Sequence, residues 1–157
     1  MSATGHVLEH EAAEKPKLNI RMIPLDFLRD GTPRNPQLVD EAAAFYRAEF
    51  HREPEFQSFA KVWVLGDDNG ILGLTGLVSV CDCPLFHIVP KTMDKSGLRI
   101  AEAARDLAVW RMKSHLEDSG LSGSQVLIYV SPTVERLWHR FLGRIGAVPA
   151  NRWSLTI

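Results

Sequence analysis

Two runs of β-forming residues, separated by a short turn, constrain the fold more than any other feature of this sequence. Residues 61–65 (KVWVL) and 71–80 (ILGLTGLVSV) flank the turn 66–70 (GDDNG). The turn contains Asn-Gly, and both residue types tolerate the positive φ of tight hairpin turns. The sequence therefore predicts an antiparallel hairpin. Gly73 and Gly76 within the second run predict a bulge or a close backbone approach.

Further elements follow from apolar periodicity and from end signals on both sides of the hairpin. Asn35 followed by Pro36 marks a helix start, because an N-cap acceptor precedes a proline at the first helical position. The helix is expected to run about four turns before Pro54. The remaining predicted elements are strands within 18–27, 84–89 and 125–130, a long helix at 98–118 with Trp110 on its apolar face, a helix opened by Pro132, and a strand at 153–157.

Composition indicates one α/β domain. The chain has 157 residues, of which 45% are hydrophobic and 24% charged, and these values are typical of a globular protein. Residues 1–17 are polar and mixed in charge, so we predict a flexible arm ahead of a single domain at 18–157. A partner protein or a second copy would be needed to order that arm, which makes a homo-oligomer or a larger assembly a prediction.

Global charge and apolar content exclude several classes of partner. The net charge of -1 gives no overall attraction to nucleic acid or to an anionic membrane, so any anion site must be local. No run approaches the roughly 18 apolar residues of a membrane span, and the N-terminus lacks the apolar core of a secretory signal. We therefore expect a cytoplasmic protein. Cys81 and Cys83 are expected to be reduced structural thiols, and no metal site is predicted.

The element order resembles that of the GNAT superfamily of N-acetyltransferases over about residues 18–157. VWVLGDDNGILGLTGLVSV looks like the family's second and third strands, with Gly73 at the position of a family glycine. PLFHIVP, followed by a loop and the helix at 98–118, looks like the fourth strand and the cofactor-binding helix. LWHRFLGRIGAV resembles the closing signature of the family. The resemblance implies an α+β fold in which helices flank a central mixed sheet.

The resemblance also implies a cofactor, acetyl-CoA or another acyl-CoA, that enters between two neighbouring parallel strands. In the family, backbone N–H groups at a helix N-terminus hold its pyrophosphate, and the helix dipole favours an anion there. The corresponding segment here is 91–100 (KTMDKSGLRI), in which three basic residues are diluted only by Asp94. The cofactor-binding candidates are Ile88 and Val89 as backbone donors, then Lys91, Lys95, Ser96, Gly97, Leu98, Arg99 and Ile100.

Two departures from the family pattern make this a divergent or degenerate member. The family loop reads Gln/Arg-x-x-Gly-x-Gly/Ala, and aligning Gly97 with its first glycine places Asp94 at the basic position and Arg99 at the second glycine. Leu142 stands where many members have a tyrosine that protonates the departing thiolate. We therefore hold two hypotheses, an acyltransferase that works through bound water and a catalytically inactive binding or structural subunit.

Three residues are candidates for catalysis, each with a simpler alternative. His87 lies in the fourth strand and is a residue type that exchanges protons near neutral pH, although a buried histidine is often structural. Asp82 precedes this strand, where some members carry an acidic base, and is equally consistent with an exposed loop carboxylate. Ser131 is a candidate acid or the N-cap of the helix opened by Pro132.

Other residues bear on the acceptor, which the sequence does not identify beyond a small-molecule or protein amine. Tyr129 is predicted to be a core or substrate-wall residue. His51, Glu53 and Glu55 follow the first helix, where family members build the acceptor site, and they also suit an ordinary polar connection.

Overall fold

The computed structural model describes residues 18–79, 82–130, 132–144, 146 and 153–156. The predicted arm at 1–17, the Cys81 thiol and the candidate Ser131 lie outside the described residues. The elements in chain order are β1 (Arg21–Pro24), α1 (Pro36–Phe50), a single 3-10 turn (Phe56–Ser58), β2 (Lys61–Asp67), β3 (Gly70–Leu77), β4 (Asp82–Cys83), β5 (Leu85–Ile88), α2 (Lys95–Asp118), β6 (Gln125–Ile128), α3 (Pro132–Arg144) and β7 (Trp153–Thr156).

The strands form two hydrogen-bonded sheets. One is antiparallel with the order β1-β2-β3-β5, and the other has the order β4-β6-β7, in which β4 and β6 are parallel. The predicted class, mixed α and β, is confirmed. The predicted single sheet is divided because Pro84, which has no N–H for a ladder, separates β4 from β5. At this point the chain changes its pairing partner from β6 to β3.

The predicted hairpin is confirmed as β2 and β3. Gly70 has a φ of 120°, a conformation that side chains other than glycine rarely adopt. The register shifts at Leu65 and Gly66, so the strand pair contains a bulge. A Cβ atom on Gly73 would lie 2.3 Å from the carbonyl oxygen of His87, and one on Gly76 would lie 2.7 Å from the Phe59 ring. Both glycines therefore permit close approaches, as predicted.

The helix ends show which local signals were used. Asn35 Oδ1 accepts a hydrogen bond from the N–H of Leu38 at 3.1 Å, as the Asn-Pro pair predicted. The helix ends at Phe50, and His51 has a left-handed φ of 57°, so α1 stops before Pro54 is reached. Helix α2 begins at Lys95, three residues before the predicted start, because Asp94 caps it.

Helices cover both faces of the antiparallel sheet, and alternation along β5 assigns residues to each face. Leu85 packs with Ala42 and Tyr46 of α1. Phe86 and Ile88 pack in a larger cluster with α2 and α3. Strand β5 thus presents side chains to both layers.

The prediction for Trp110 was wrong, since this residue is 59% exposed. The buried face of α2 is formed by Ala101, Ala104, Arg105, Ala108, Met112 and Leu116. At about 100° per residue, Trp110 lies on the side of the helix opposite Ala108 and Met112. A buried arginine occupies the face where the pattern predicted only apolar residues.

Candidate functional site

Two parallel strands part near the centre of the molecule. Asp82 and Cys83 of β4 pair with Leu127 and Ile128 of β6, and the Tyr129 N–H donates to the Cys83 carbonyl at 2.9 Å. Beyond Pro84 the first strand turns to β3, whereas the second continues towards α3. The divergence opens a gap between β5 and the chain that follows β6.

Ile88 and Val89 were predicted as backbone N–H donors, and one of the two directs its N–H towards this gap. The Val89 N–H donates to the Leu72 carbonyl at 2.9 Å and is therefore already engaged with β3. Inward and outward N–H groups alternate along an antiparallel pair. Ile88, one residue earlier, therefore directs its N–H away from β3 and towards the gap.

An aromatic cavity of about 300 Å³ lies beside the gap, between the end of α1 and β5. The helix supplies Tyr46 and Phe50, which share a helical face at i and i+4. We define the aromatic cavity by the residues that line it: Tyr46, Phe50, Arg52, Phe59, Pro84, Leu85, Phe86, His87 and Tyr129.

His87, which pairs with a carboxylate, lines the aromatic cavity. His87 is 1% exposed, and its Nε2 lies 2.9 Å from Glu49 Oε1. The carboxylate accepts, so Nε2 carries the proton, and Nδ1 has a lone pair while the ring is neutral. The ring centroid of Phe50 lies 4.7 Å from that of His87. Nδ1 is buried and has no hydrogen-bond partner among the described residues.

Arg52 supplies the positive charge of the aromatic cavity. Its Nε donates to the Tyr46 hydroxyl at 3.1 Å, which holds the guanidinium beside the aromatic wall. No carboxylate within the described residues pairs with Arg52. The aromatic cavity thus combines a buried histidine, which pairs with a partly exposed carboxylate, with one exposed cation.

A basic groove of about 660 Å³ runs between α2 and α3. Two stripes of cations with a four-residue spacing line it, one on each helix. We define the basic groove by Lys95, Leu98, Arg99 and Glu102 of α2 and by Arg136, His139, Arg140, Phe141 and Arg144 of α3. The cations that form no ion pair with a carboxylate of the described residues are Lys95, Arg99, Arg136 and Arg140.

The floor of the basic groove is an aromatic ring between two guanidinium groups. Arg105 and Arg144 each place their central carbon 5.1 Å from the Phe141 ring centroid. Burial is the main reason that the pKa of Arg105 is lowered to about 9; the positive charge of Arg144 acts in the same direction, whereas Glu102 and Asp106 oppose it. Arg144 is also bound by Asp106 at 3.3 Å, which neutralises this end of the groove and leaves the excess charge at the other.

A carboxylate already occupies the N-terminus of α2. Asp94 Oδ1 accepts hydrogen bonds from the Gly97 N–H and from the Thr92 hydroxyl, each at 2.8 Å. The Gly97 N–H bond and then the Thr92 bond lower the pKa of Asp94. A Cβ atom on Gly97 would lie 2.1 Å from the Thr92 carbonyl oxygen, so the loop is packed against the first turn. An incoming anion would have to displace the Asp94 side chain from the Gly97 N–H.

Ser131 lies outside the described residues, and the other two predicted catalytic residues are not brought together. His87 lines the aromatic cavity with Tyr129, which is 44% exposed and forms part of the wall. Asp82 belongs to β4 and does not line that cavity. Cys83, the buried thiol next to it, has its pKa raised to about 12 by burial, which leaves the thiol protonated at neutral pH.

The predicted cofactor-binding residues are distributed over three places. Lys95, Leu98 and Arg99 line the basic groove. The Lys91 ammonium donates to the Asn69 carbonyl and so lies against the hairpin turn. Ile100 contributes to a separate depression beside that turn.

The remaining candidates lie in the first turn of α2 and after α1. Ser96 is exposed in the first turn of α2. His51 ends α1, and Glu53 pairs with Arg47 of the same helix. None of the three residues proposed for acceptor recognition, which include Glu55, lines the aromatic cavity.

Glu49 and Arg52, which supply the charges at the aromatic cavity, were not predicted from the sequence. The cations that α3 contributes to the basic groove were not predicted either. Glu49 follows the buried Tyr46 by three residues, so a carboxylate at the edge of an apolar helix face was the available signal. Arg136, Arg140 and Arg144 recur every fourth residue, and this stripe was readable from the sequence. Arg52 gave no such signal, because its role depends on the fold.

No protein-family model, curated protein or solved structure matches this chain. No helix in the described ranges is long and apolar enough to cross a membrane.

Proposed function

We propose that this chain is a divergent GNAT acyltransferase that moves an acetyl or other acyl group from acyl-CoA to an amine. The observation that carries the proposal is the parallel pair β4 and β6, which separates after Cys83. The basic groove lies on the α2 side of the sheet, and the aromatic cavity lies on the α1 side. This arrangement suits two substrates that meet at the gap from opposite faces.

The basic groove fits the phosphates of the cofactor. Arg99 of α2 and Arg140 of α3 both line the groove without carboxylate partners among the described residues, and guanidinium groups match phosphate oxygens in a two-pronged geometry. Leu98 and Phe141 give the groove an apolar floor for the uncharged parts of the molecule. When bound, acyl-CoA would supply the activated thioester carbonyl.

His87 and Ile88 would then perform the chemistry contributed by the protein. Glu49 fixes the His87 ring with the Nε2 proton directed at the carboxylate, so Nδ1 is free to accept a proton from the attacking amine. The N–H of Ile88, which faces the gap, is suited to stabilise the negative charge that develops on the carbonyl oxygen. Leu142 is fully buried and has no proton to donate, so the departing thiolate takes its proton from water.

The alternative is a catalytically inactive subunit with the same fold, and one observation favours it. Asp94 occupies the Gly97 N–H at the start of α2, where a pyrophosphate would otherwise bind. In this alternative the basic groove serves as a docking site for an acidic partner, and the N-terminal arm at 1–17 contacts the rest of the assembly.

Calorimetry with acetyl-CoA distinguishes the two functions. We expect micromolar binding that Arg99→Glu weakens strongly and that the matched control Arg34→Glu, at an exposed arginine outside the groove, leaves intact. Product formation with a panel of amines then tests transfer. Absence of binding at millimolar acetyl-CoA would exclude the acyltransferase, whereas binding without transfer to any amine would favour the inactive subunit.

A further inference from the structure

The aromatic cavity is lined by a proton acceptor and by a cation. Glu49 accepts a hydrogen bond from His87 Nε2, so the pair carries a net negative charge while the histidine is neutral. Arg52 is held by the Tyr46 hydroxyl and has no carboxylate partner in the described part of the chain. A ligand that fills the cavity therefore meets a proton acceptor and a cation.

The wall of the cavity is aromatic. Tyr46 and Phe50 stack with centroids 4.6 Å apart, and the Phe50 ring in turn contacts His87. These contacts link Arg52 to His87 through a continuous series of rings. The volume of about 300 Å³ is at the small end for ligand sites and accommodates a molecule of one ring rather than a polymer segment.

We propose that the aromatic cavity binds a free α-amino acid with an aromatic side chain, and that this amino acid is the acyl acceptor. Its ammonium group donates to Nδ1 of His87, and its carboxylate pairs with Arg52. Its ring packs against the aromatic wall. The identification of the acceptor rests on the proposed acyl transfer, whereas the binding of the amino acid does not.

The charges of the aromatic cavity favour this class over other amines. An arylalkylamine supplies the ammonium and the ring but leaves Arg52 without a partner. A lysine side chain on a protein supplies neither a ring nor an adjacent carboxylate. Only a zwitterion with an apolar side chain uses the proton acceptor, the cation and the wall.

The reaction balances without a further reagent. The amino acid loses one ammonium proton to Nδ1 of His87 and becomes a neutral nucleophile. Its nitrogen forms a bond to the thioester carbonyl carbon, the carbon–sulfur bond breaks, and the nitrogen releases a second proton to solvent as the amide forms. The products are an N-acyl amino acid and CoA, whose thiolate takes a proton from water, and His87 returns its proton to solvent before the next turnover.

Binding without CoA tests the inference. The probes are L-phenylalanine and 2-phenylethylamine, which differ only by the carboxylate, and the measurement is calorimetry on the full chain. A hydrogen bond between charged groups stabilises a complex by enough that we expect L-phenylalanine to bind at least about tenfold more tightly than 2-phenylethylamine. Arg52→Gln should remove this preference, Arg52→Lys should restore part of it, and Arg34→Gln should leave it unchanged.

The outcomes separate this inference from the proposed function. Equal affinities for the two probes, or a preference that survives in a folded Arg52→Gln variant, would overturn the amino acid site. A second readout is the NMR signal of the His87 ring, which L-phenylalanine should shift in wild type and in Arg34→Gln. If L-phenylalanine binds as expected but no N-acetyl product forms with acetyl-CoA, the binding inference stands, while acyl transfer and the acceptor assignment fall.

Discussion

The aromatic cavity beside β5 and the basic groove between α2 and α3 are built in different ways. The groove is formed by two helices whose cations repeat every fourth residue, and most of its charge is unopposed within the described residues. The cavity is lined by residues from three distant parts of the chain. The negative charge of Glu49, which pairs with His87, and the positive charge of Arg52 nearly cancel. The difference indicates that the groove selects by charge, whereas the cavity selects by shape and by the placement of single polar groups.

The largest expected effect is on chemistry in the aromatic cavity. His87→Gln removes the proton acceptor and should lower the rate of acyl transfer roughly a hundred- to ten-thousand-fold, the usual range for a positioned general base. Acetyl-CoA affinity should not change, because the groove is on the other face. Single-turnover rates combined with calorimetry check this, and a parallel loss of acetyl-CoA binding would show that the two regions are not independent.

The next effect is on stability and compares one ring from each region. Phe141 is 3% exposed beneath the groove, so Phe141→Ala should lower the free energy of unfolding by about 3–5 kcal/mol. Phe59 is a partly buried residue of the cavity wall. Phe59→Ala should therefore lower the free energy of unfolding by clearly less than Phe141→Ala. Urea unfolding of both variants provides the measurement. Equal losses of unfolding free energy would contradict the view that the groove floor belongs to the core whereas the cavity wall serves to bind a ligand.

A smaller effect separates the two regions by charge. Arg99→Glu and Arg140→Glu should each weaken acetyl-CoA binding about tenfold, because each removes a charge-assisted contact and adds repulsion. Added salt should narrow the difference in acetyl-CoA affinity between each variant and wild type. L-phenylalanine affinity is the internal control, and a matching decrease in that affinity would argue for unfolding rather than for a lost phosphate contact.

A modest gain is expected at the N-terminus of α2. Asp94→Asn keeps an oxygen that can cap Gly97 but removes the negative charge, so acetyl-CoA affinity should rise about two- to fivefold, in line with the strength of helix-terminus charge effects. Calorimetry of the variant beside wild type measures the change. An affinity that falls instead would mean that the Asp94 carboxylate helps to shape the site.

The smallest effect concerns acid stability at the same residue. The pKa of Asp94 is lowered from its ordinary 3.8 by hydrogen bonds from Gly97 and Thr92. The stabilisation of the fold by this carboxylate is therefore complete above pH 3.8. It is lost as the pH falls through the lowered pKa. Wild type should therefore lose more of its thermal stability between pH 5 and pH 2 than Asp94→Asn, as thermal unfolding at several pH values would show. Parallel curves would remove Asp94 from the account of acid sensitivity.

Local chemistry determined much of the fold. The hairpin followed from the turn at 66–70, and the start of α1 followed from Asn35 and Pro36, because turns and caps depend on residues only a few positions apart. The positive stripes of the groove are of the same kind, since four-residue spacing on a helix places charges on one face. His87 was likewise identified as a candidate from its place in a predicted strand.

Tertiary packing decided the rest. The sequence could not show that Glu49 and His87, 38 positions apart, meet at 2.9 Å, or that Arg52 completes the same cavity. It also gave no reason to place Arg105 on the buried face of α2 and Trp110 outside it. These arrangements depend on which helix faces which strand and on where Pro84 redirects the chain. Local propensity fixes the elements, but only their packing fixes which side chains share a site.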